Sequence, residues 1–382
     1  MAARNRKKRK IEDNETGVPF ACGFHRPTPK QSRKAIGVFP IPTILEPGPE
    51  NLHFREIPSP KCEDDWLAQY NEEGQSFKYF LKTNPWISGR RVKYAKQKFI
   101  PDGKNLKERY PDGKIYVQPL GDFDDGNNSD CSPCIHDLAD YTERFYALPV
   151  VVLPEMKLKI PTKKGSVICW QDDPSEETNT RKSSRVLSKQ RELNHRLSHG
   201  HIQLKVDSIH ALLRKLIPDD ALCLIGLTMA DPYEDDSDLF VAGLAAGNQR
   251  VAVFSFARYN PCLEFSTEHW YSIWPSKQID LKTKRQMVLQ RSCKLLVHEI
   301  AHLLGMDHCI WYLCCMNGSG HLSEDFAQPI YLCPVDLHKL QHLCGFDIVD
   351  RYRQLLEFFK RHDMKEEAEW YQSRLEFIDN ES

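Results

Sequence analysis

The sequence predicts an α/β (α+β) fold in which a mixed, twisted sheet packs on a long central helix, with a small helical C-terminal subdomain. Short β-branched runs alternate with helical patterns from about residue 115 to residue 259, which is typical of a sheet with covering helices. The stretch 283–305 places apolar residues at spacings of four and three, as a helix that faces a core does. Three further helical patterns follow residue 334.

Composition narrows the class of protein. The chain has 382 residues, a formal net charge of −1 and 41 % hydrophobic residues. Because no apolar run approaches the ~20 residues that a bilayer requires, and the net charge is near zero, we expect neither a membrane span nor nucleic-acid binding. The 13 cysteines are an odd number and several cluster around histidines, which favours metal ligation in a reducing compartment over disulfides.

The N-terminus points to an intracellular protein, in the cytoplasm, the nucleus or both. Its basic run, Arg4 to Lys10, lacks the apolar segment of a secretory signal and is typical of a nuclear localisation signal. A solvated tail would have the same composition. Prolines are frequent in the stretch that follows, so we interpret residues 1–65 as a disordered or extended N-terminal extension.

Residues 66–350 form the predicted main domain, and residues 351–382 form a C-terminal helical extension. An inserted loop at 155–200, rich in Lys, Ser, Asp and Glu, interrupts the main domain. The pattern elsewhere predicts strands at 115–120, 148–153, 202–206, 221–228, 239–245 and 251–259, and helices at 135–145 and 208–216. The last two strands form a hairpin that supplies an edge strand, and the helices are expected on one side of the sheet.

A histidine motif lies at the end of the predicted long helix. His298 and His302 are four residues apart, so both imidazoles project from one helix face, where one zinc ion can bind both. Glu299 lies beside any water that the metal holds. Gly305 can adopt the left-handed conformation that ends a helix, and the reversed chain then presents His308 as a third ligand. Three protein ligands leave a fourth position open, as catalytic zinc sites do.

Cysteines and a methionine follow this motif at short range. Cys309 comes directly after the third histidine, and Cys314-Cys315-Met316 and Leu332-Cys333-Pro334 come later. Together with the HExxHxxGxxH pattern at 298–308, these stretches resemble the archaemetzincins, and in particular the animal members of that metzincin family. The resemblance covers roughly residues 110–355. It implies a metzincin-like fold with an edge strand over the active-site cleft, a central motif helix and a Met-turn.

The resemblance also implies a catalytic zinc site. His298, His302 and His308 would hold the ion, with Glu299 as the catalytic general base and Met316 in the turn beneath the metal. Zinc lowers the pKa of its bound water toward ~7, and Glu299 can accept the released proton and return it to the leaving amine.

The resemblance further implies a second zinc ion, with a structural role. Three of its ligands are, by matching position, Cys309, Cys314 and Cys333. The family has a cysteine where this chain has Asp336, and a carboxylate can bind zinc. His338 or Cys344 could replace Asp336 as the fourth ligand, or the cysteine site could be weak or empty.

Two classes of function fit these observations. The first is a zinc-dependent metallopeptidase that acts on peptides or small polypeptides, with removal of N-terminal residues (aminopeptidase activity) as one mode. We expect such an enzyme to be a monomer. The second is a catalytically weak, zinc-stabilised interaction protein. Glu299 favours the first class, because a fold that needs only structural metal does not need this residue.

Other cysteines are weaker candidates for a functional role. Cys131 and Cys134 have the spacing of a redox pair at a helix start, and they could also bind a metal. No thioredoxin-like pattern surrounds them, so the interpretation as incidental cysteines is favoured over both roles. Cys22 or Cys62 could block the catalytic zinc as an inhibitory thiol, although no recognisable switch motif surrounds either one.

Overall fold

The computed structural model describes residues 24–48, 52–88, 98–123, 132–161, 165–171, 190–264 and 275–381. The strands in these residues are β1 Lys114–Leu120, β2 Val150–Val152, β3 Lys157–Lys159, β4 Val167–Trp170, β5 Arg191–Leu193, β6 His195–Ser198, β7 His201–Lys205, β8 Ala221–Thr228, β9 Asp231–Tyr233, β10 Gly243–Ala246 and β11 Val251–Ser255. The α-helices are α1 Pro29–Ile36, α2 Trp66–Gln69, α3 Phe77–Thr83, α4 Leu106–Arg109, α5 Ile135–Tyr146, α6 Val206–Leu216, α7 Leu281–Leu303, α8 Leu322–Ala327, α9 Pro334–Cys344, α10 Ile348–Arg361 and α11 Lys365–Glu381. None of these helices combines the length and the apolar character that crossing a membrane requires.

The central sheet has five strands in the order β10-β11-β8-β1-β2. β1 runs parallel to β2 and β8, β8 runs parallel to β11, and β10 pairs antiparallel with β11 at one edge. Every residue of β8 is buried, as expected for a parallel strand that is covered on both faces. The protein is therefore a mixed α/β fold, as the sequence predicts.

Helices cover both faces of this sheet. On one face, Ile209 and Leu213 of α6 share a buried apolar cluster with Leu224 of β8. On the other face, Leu296 of α7 shares a larger cluster with Ile225 of the same strand, and α5 packs beside α7. The expectation of helices on one side is wrong, because neighbouring residues of β8 point to opposite faces and both sets are apolar.

The segment 155–200 forms strands where it is described. β3, β4 and β5 make a small antiparallel sheet, and β6 pairs with β7, which also pairs with β9. Val167, Cys169 and Leu193 are buried, and the first two alternate along β4. The prediction of an inserted loop is corrected here, since a few alternating apolar residues give the insert a buried face. Residues 162–164 and 172–189 lie outside the described part.

The N-terminal stretch packs on the rest of the protein where it is described. α1 begins with a capping box, in which the side chains of Thr28 and Gln31 accept from each other's backbone N–H groups. Ile36 at its end is buried in the same apolar cluster as residues of α9, α10 and α11. Residues 24–48 therefore correct the expectation of an unpacked extension. The basic run Arg4 to Lys10 lies outside the described residues, and the domain boundaries stay predictions.

Candidate metal centres

Helix α7 carries two motif histidines and ends against an N-terminal segment. Gly305 has φ +86°, and a Cβ there would lie 2.7 Å from Asn84 Nδ2. This amide nitrogen donates to the Leu304 carbonyl at 2.7 Å, and Trp86 Nε1 donates to the Leu303 carbonyl at 3.0 Å. These bonds satisfy carbonyls that a helix end leaves without a helical partner. The chain then reverses and returns the third histidine toward the helix.

The structure brings His298, His302 and His308 together. One nitrogen of each ring lies within 4.8 Å of the others, and the Nε2 atoms of His298 and His302 are 3.0 Å apart. His298 Nδ1 is 2.7 Å from the Cys315 carbonyl oxygen, and His302 Nδ1 is 2.7 Å from that of Met306. A carbonyl can only accept, so each Nδ1 carries the ring proton and each Nε2 presents its lone pair to the shared centre.

His308 is oriented by a carboxylate that the sequence analysis missed. Its Nδ1 lies 3.1 Å from Glu72 Oε1, and the two side chains are only 5 % and 4 % exposed. Trp66 Nε1 donates to the same oxygen at 2.9 Å, and its indole meets the His308 ring edge-on. A carboxylate at Nδ1 fixes the tautomer and makes Nε2 a stronger ligand. No local sequence signal could reveal Glu72, because it precedes His308 by 236 residues.

Burial favours the neutral form of His298 and His302, which is the form that binds metal. Burial, followed by the neighbouring His298 and His308 rings, lowers the pKa of His302 well below its usual range. Burial also lowers the pKa of His298. Only a neutral imidazole has a lone pair for a cation, so these two shifts favour zinc binding. Glu299 is buried and interacts electrostatically with both His298 and His302.

Cys309, Cys314, Cys333 and Asp336 form a second buried group. Their ligand atoms lie within 4.8 Å of one another. Cys309 Sγ is 3.6 Å from Cys333 Sγ, and Asp336 Oδ2 is 3.3 Å from Cys314 Sγ and 3.4 Å from Cys333 Sγ. These separations suit ligands around a tetrahedral zinc, whose bonds to sulfur are about 2.3 Å and to oxygen about 2.0–2.2 Å long. Cys309 follows His308 directly, so one segment of chain contributes to both groups.

The geometry favours Asp336 over the other candidates for a fourth ligand. Its second oxygen, Oδ1, accepts from Lys339 Nζ at 2.7 Å, and both side chains are fully buried. Burial raises the pKa of Asp336 to about 7, and the Lys339 ammonium opposes that rise. His338 instead donates to a backbone carbonyl and stacks on Phe77. Cys344 is buried outside the group.

The turn at residues 314–317 links the two groups. Its Cys315 supplies the carbonyl that orients His298. The backbone N–H of Cys309 donates to the Met316 carbonyl at 2.7 Å, and the Met316 side chain is fully buried. A movement of this turn would therefore displace a histidine and the cysteine group together.

A third group consists of Cys62, Asp65 and His321, whose ligand atoms also lie within 4.8 Å of one another. For Cys62 the sequence suggests only the role of an inhibitory thiol, whereas its Sγ lies 3.0 Å from Asp65 Oδ1. The Cys-x-x-Asp spacing of 62 and 65 was the one available signal, and nothing local connects it to His321.

Three cysteines from the sequence analysis remain. Cys22 and Cys131 lie outside the described residues. Burial raises the pKa of the Cys134 thiol, which opposes the reactive thiolate that a redox role requires.

Fold and geometry together define an α/β protein with a three-histidine centre beside a cysteine-rich one. No family model matches the chain. The chain is 32 % identical to archaemetzincin-2 of Rattus norvegicus over 326 residues, which cover 81 % of this chain and 76 % of that protein. It is 41 % identical to archaemetzincin-2 of Mus musculus over 170 residues, or 41 % of this chain and 47 % of the relative, so that match spans about half the length of the mouse protein.

The chain belongs to the archaemetzincin family, which confirms the resemblance that the motif indicates. Among solved structures, archaemetzincin from Methanopyrus kandleri is 18 % identical, with a TM-score of 0.35 and coverage of 63 % of this chain and 97 % of that chain.

Proposed function

We propose that this chain is a zinc metallopeptidase that hydrolyses peptide bonds. The observation that carries the proposal is the set of three histidines whose Nδ1 atoms bond elsewhere while their remaining nitrogens converge beside the buried Glu299. Three protein ligands leave one coordination position for water or substrate, and this feature distinguishes a catalytic zinc site from a structural one.

The proposed roles follow from position. A zinc ion held by His298, His302 and His308 would supply a Lewis acid that polarises the scissile carbonyl and lowers the pKa of water. Glu299, next to His298 on α7, accepts the proton of the attacking water and passes it to the leaving amine. Met316, buried in the turn that carries the carbonyl partner of His298, is the proposed Met-turn residue.

The cysteine group is the proposed structural zinc site. Cys309, Cys314, Cys333 and Asp336 complete a tetrahedral set, so no position is left for substrate. Three thiolates and a carboxylate exceed the charge of one zinc ion, and the buried Lys339 ammonium offsets part of that excess. Metal here would hold the 314–317 turn and, through it, the orientation of the histidine centre.

Strand β10 is the proposed binding site for the substrate backbone. It lies at the edge of the central sheet, pairs there with β11, and packs against the motif helix α7. An extended peptide can add to such an edge through main-chain hydrogen bonds. We therefore propose peptides or small polypeptides as substrates, with trimming from the N-terminus as one form of the activity.

Replacement of Glu299 tests this function. The zinc-loaded protein should cleave members of a broad peptide library. Glu299→Ala should keep zinc at the histidines and lose roughly 10²–10⁴-fold of that cleavage, because it removes only the proton transfer. The exposed Glu369→Ala is the matched control and should cleave normally. If the zinc-loaded, unmutated protein cleaves nothing in the library, the alternative of a zinc-stabilised interaction protein replaces this proposal.

A further inference from the structure

We propose that Cys62, Asp65 and His321 form a third metal site, for zinc or a similar borderline divalent cation. Asp65 Oδ1 lies 3.0 Å from Cys62 Sγ and 2.9 Å from His321 Nε2, and the sulfur lies 3.9 Å from that nitrogen. Separations around Asp336 in the cysteine group are similar, at 3.3 and 3.4 Å. Thiolate, carboxylate and imidazole are the three kinds of ligand that zinc takes from proteins.

Charge and hydrogen bonding at Asp65 favour a cation. Its Oδ2 accepts from the backbone N–H groups of Lys61 at 2.5 Å and Cys62 at 3.2 Å, which leaves Oδ1 directed at the other two ligands. The side chains of Asp65 and His321 are only 12 % and 14 % exposed. One thiolate and one carboxylate neutralise a divalent ion, so the loaded site would carry no net charge in this largely buried position.

The site opens on a cavity of about 450 Å³. The three ligands line it together with Glu324 and apolar side chains that include Ile57. A tetrahedral ion on three protein ligands has one further position, and the cavity can admit water or a small ligand to it. This metal would therefore exchange more readily than one in the fully buried cysteine group.

Metal binding changes the protonation of two ligands. His321 caps α8, where its Nδ1 accepts from Glu324 N–H at 3.2 Å, so without metal the ring proton is on Nε2. On loading, the Cys62 proton goes to solvent and the imidazole proton moves from Nε2 to Nδ1. The cap bond is then lost, which is a small loss against three metal–ligand bonds.

Zinc-dependent protection of Cys62 in the full chain tests the site. Cys62 and Cys134 are both partly exposed thiols, whereas Cys309 is buried. The protein is first treated with a weak chelator, chosen so that Cys309 stays unlabelled. It is then titrated with zinc and alkylated with iodoacetamide, and the alkylated cysteines are identified by mass spectrometry. Zinc should slow alkylation of Cys62 at least tenfold and leave the rate at Cys134 unchanged.

His321→Asn separates metal binding from helix capping. Asparagine keeps a strong N-cap oxygen for Glu324 N–H but lacks the ligand nitrogen. The variant should hold one zinc fewer per chain and show no zinc-dependent protection of Cys62, with an unchanged circular dichroism spectrum. His342→Asn, at an exposed position outside every group, should behave as the unmutated protein. Equal alkylation of Cys62 with and without zinc, or full protection in His321→Asn, overturns the proposal.

Discussion

The Glu72 carboxylate accepts a hydrogen bond from His308 Nδ1 at 3.1 Å, across 236 residues of chain. Trp66 Nε1 donates to the same oxygen. The last histidine of the motif is therefore positioned by a segment that lies far upstream of the motif helix. This segment also closes the end of α7 through the side chains of Asn84 and Trp86.

Glu72→Ala should weaken zinc binding at the three histidines by about 10–100-fold, the usual effect of losing a carboxylate behind a histidine ligand. The imidazole of His308 would lose the group that fixes its tautomer. Competition with a chelator of known affinity measures the effect. Glu73→Ala, which alters an exposed neighbouring carboxylate, should leave the affinity unchanged. Equal affinities for the two variants would show that Glu72 does not position His308.

Asp336→Ala should lose the metal of the cysteine group and lower the free energy of unfolding by roughly 3–5 kcal/mol, because the buried Lys339 ammonium is left without its partner. Metal analysis and urea unfolding measure the two effects.

The control for Asp336 is Asp350→Ala, which breaks an exposed pair with Arg353 at the same i,i+3 spacing. It should change stability by less than about 1 kcal/mol. Asp336→Cys should retain the metal, since it supplies a fourth thiolate. A metal-loaded Asp336→Ala variant would exclude the carboxylate as a ligand.

Gly305→Ala should destabilise the protein more than Gly200→Ala. Both glycines have φ +86°, but a Cβ at Gly305 meets Asn84 Nδ2 at 2.7 Å, whereas nothing lies within 4 Å of one at Gly200. The positive φ alone costs about 1–2 kcal/mol at either site. At Gly305 the additional contact with Asn84 should increase the loss of unfolding free energy. It should also reduce the amount of zinc that the histidines bind. Urea unfolding with zinc analysis compares the variants, and equal losses would contradict the predicted role of Asn84.

Stability should fall as the pH falls from about 6.5 toward 4, partly through His53. Burial, followed by the Arg374 guanidinium, lowers the pKa of His53 from 6.5 to about 4. Between these values the unfolded chain binds a proton that the folded protein does not, so acid favours unfolding. With solvent screening, the contribution of this one residue is roughly 1–2 kcal/mol.

His53→Gln should flatten that part of the pH profile, as measured by urea unfolding at pH 7, 6, 5 and 4. His136→Gln, at an exposed position, is the control and should keep the full pH dependence. Identical profiles for His53→Gln and the unmutated protein would show that His53 does not contribute.

The motif could be read from the sequence because local geometry determines it. A four-residue spacing on one helix places His298 beside His302, and a glycine at the helix end returns His308. The strands of the central sheet could also be predicted from the sequence, since each contains a short apolar run. Glu72 and the Asp65–His321 contact could not be predicted, because both join segments more than 200 residues apart and leave no local pattern.

Errors in the predicted fold have a related cause. The insert at 155–200 has few apolar residues, and only their burial as a set shows that Val167 and Leu193 face the same small core. β8 is apolar at every position before Thr228, and such a run is compatible with helices on one side of the sheet or on both. The period of the apolar residues could not decide between these two arrangements. The packing of α6 on the sheet face opposite α7 shows that helices lie on both sides.

The contact between Glu72 and His308 has a consequence for biosynthesis. Translation proceeds at about 5–20 residues per second, so the ribosome needs roughly 12–47 s to add the 236 residues that separate them. During that interval the Trp66 indole and the Glu72 carboxylate lack the His308 ring that both contact in the folded protein. Closing so large a loop is also entropically slow. The histidine centre therefore cannot assemble until the chain has been synthesised past His308.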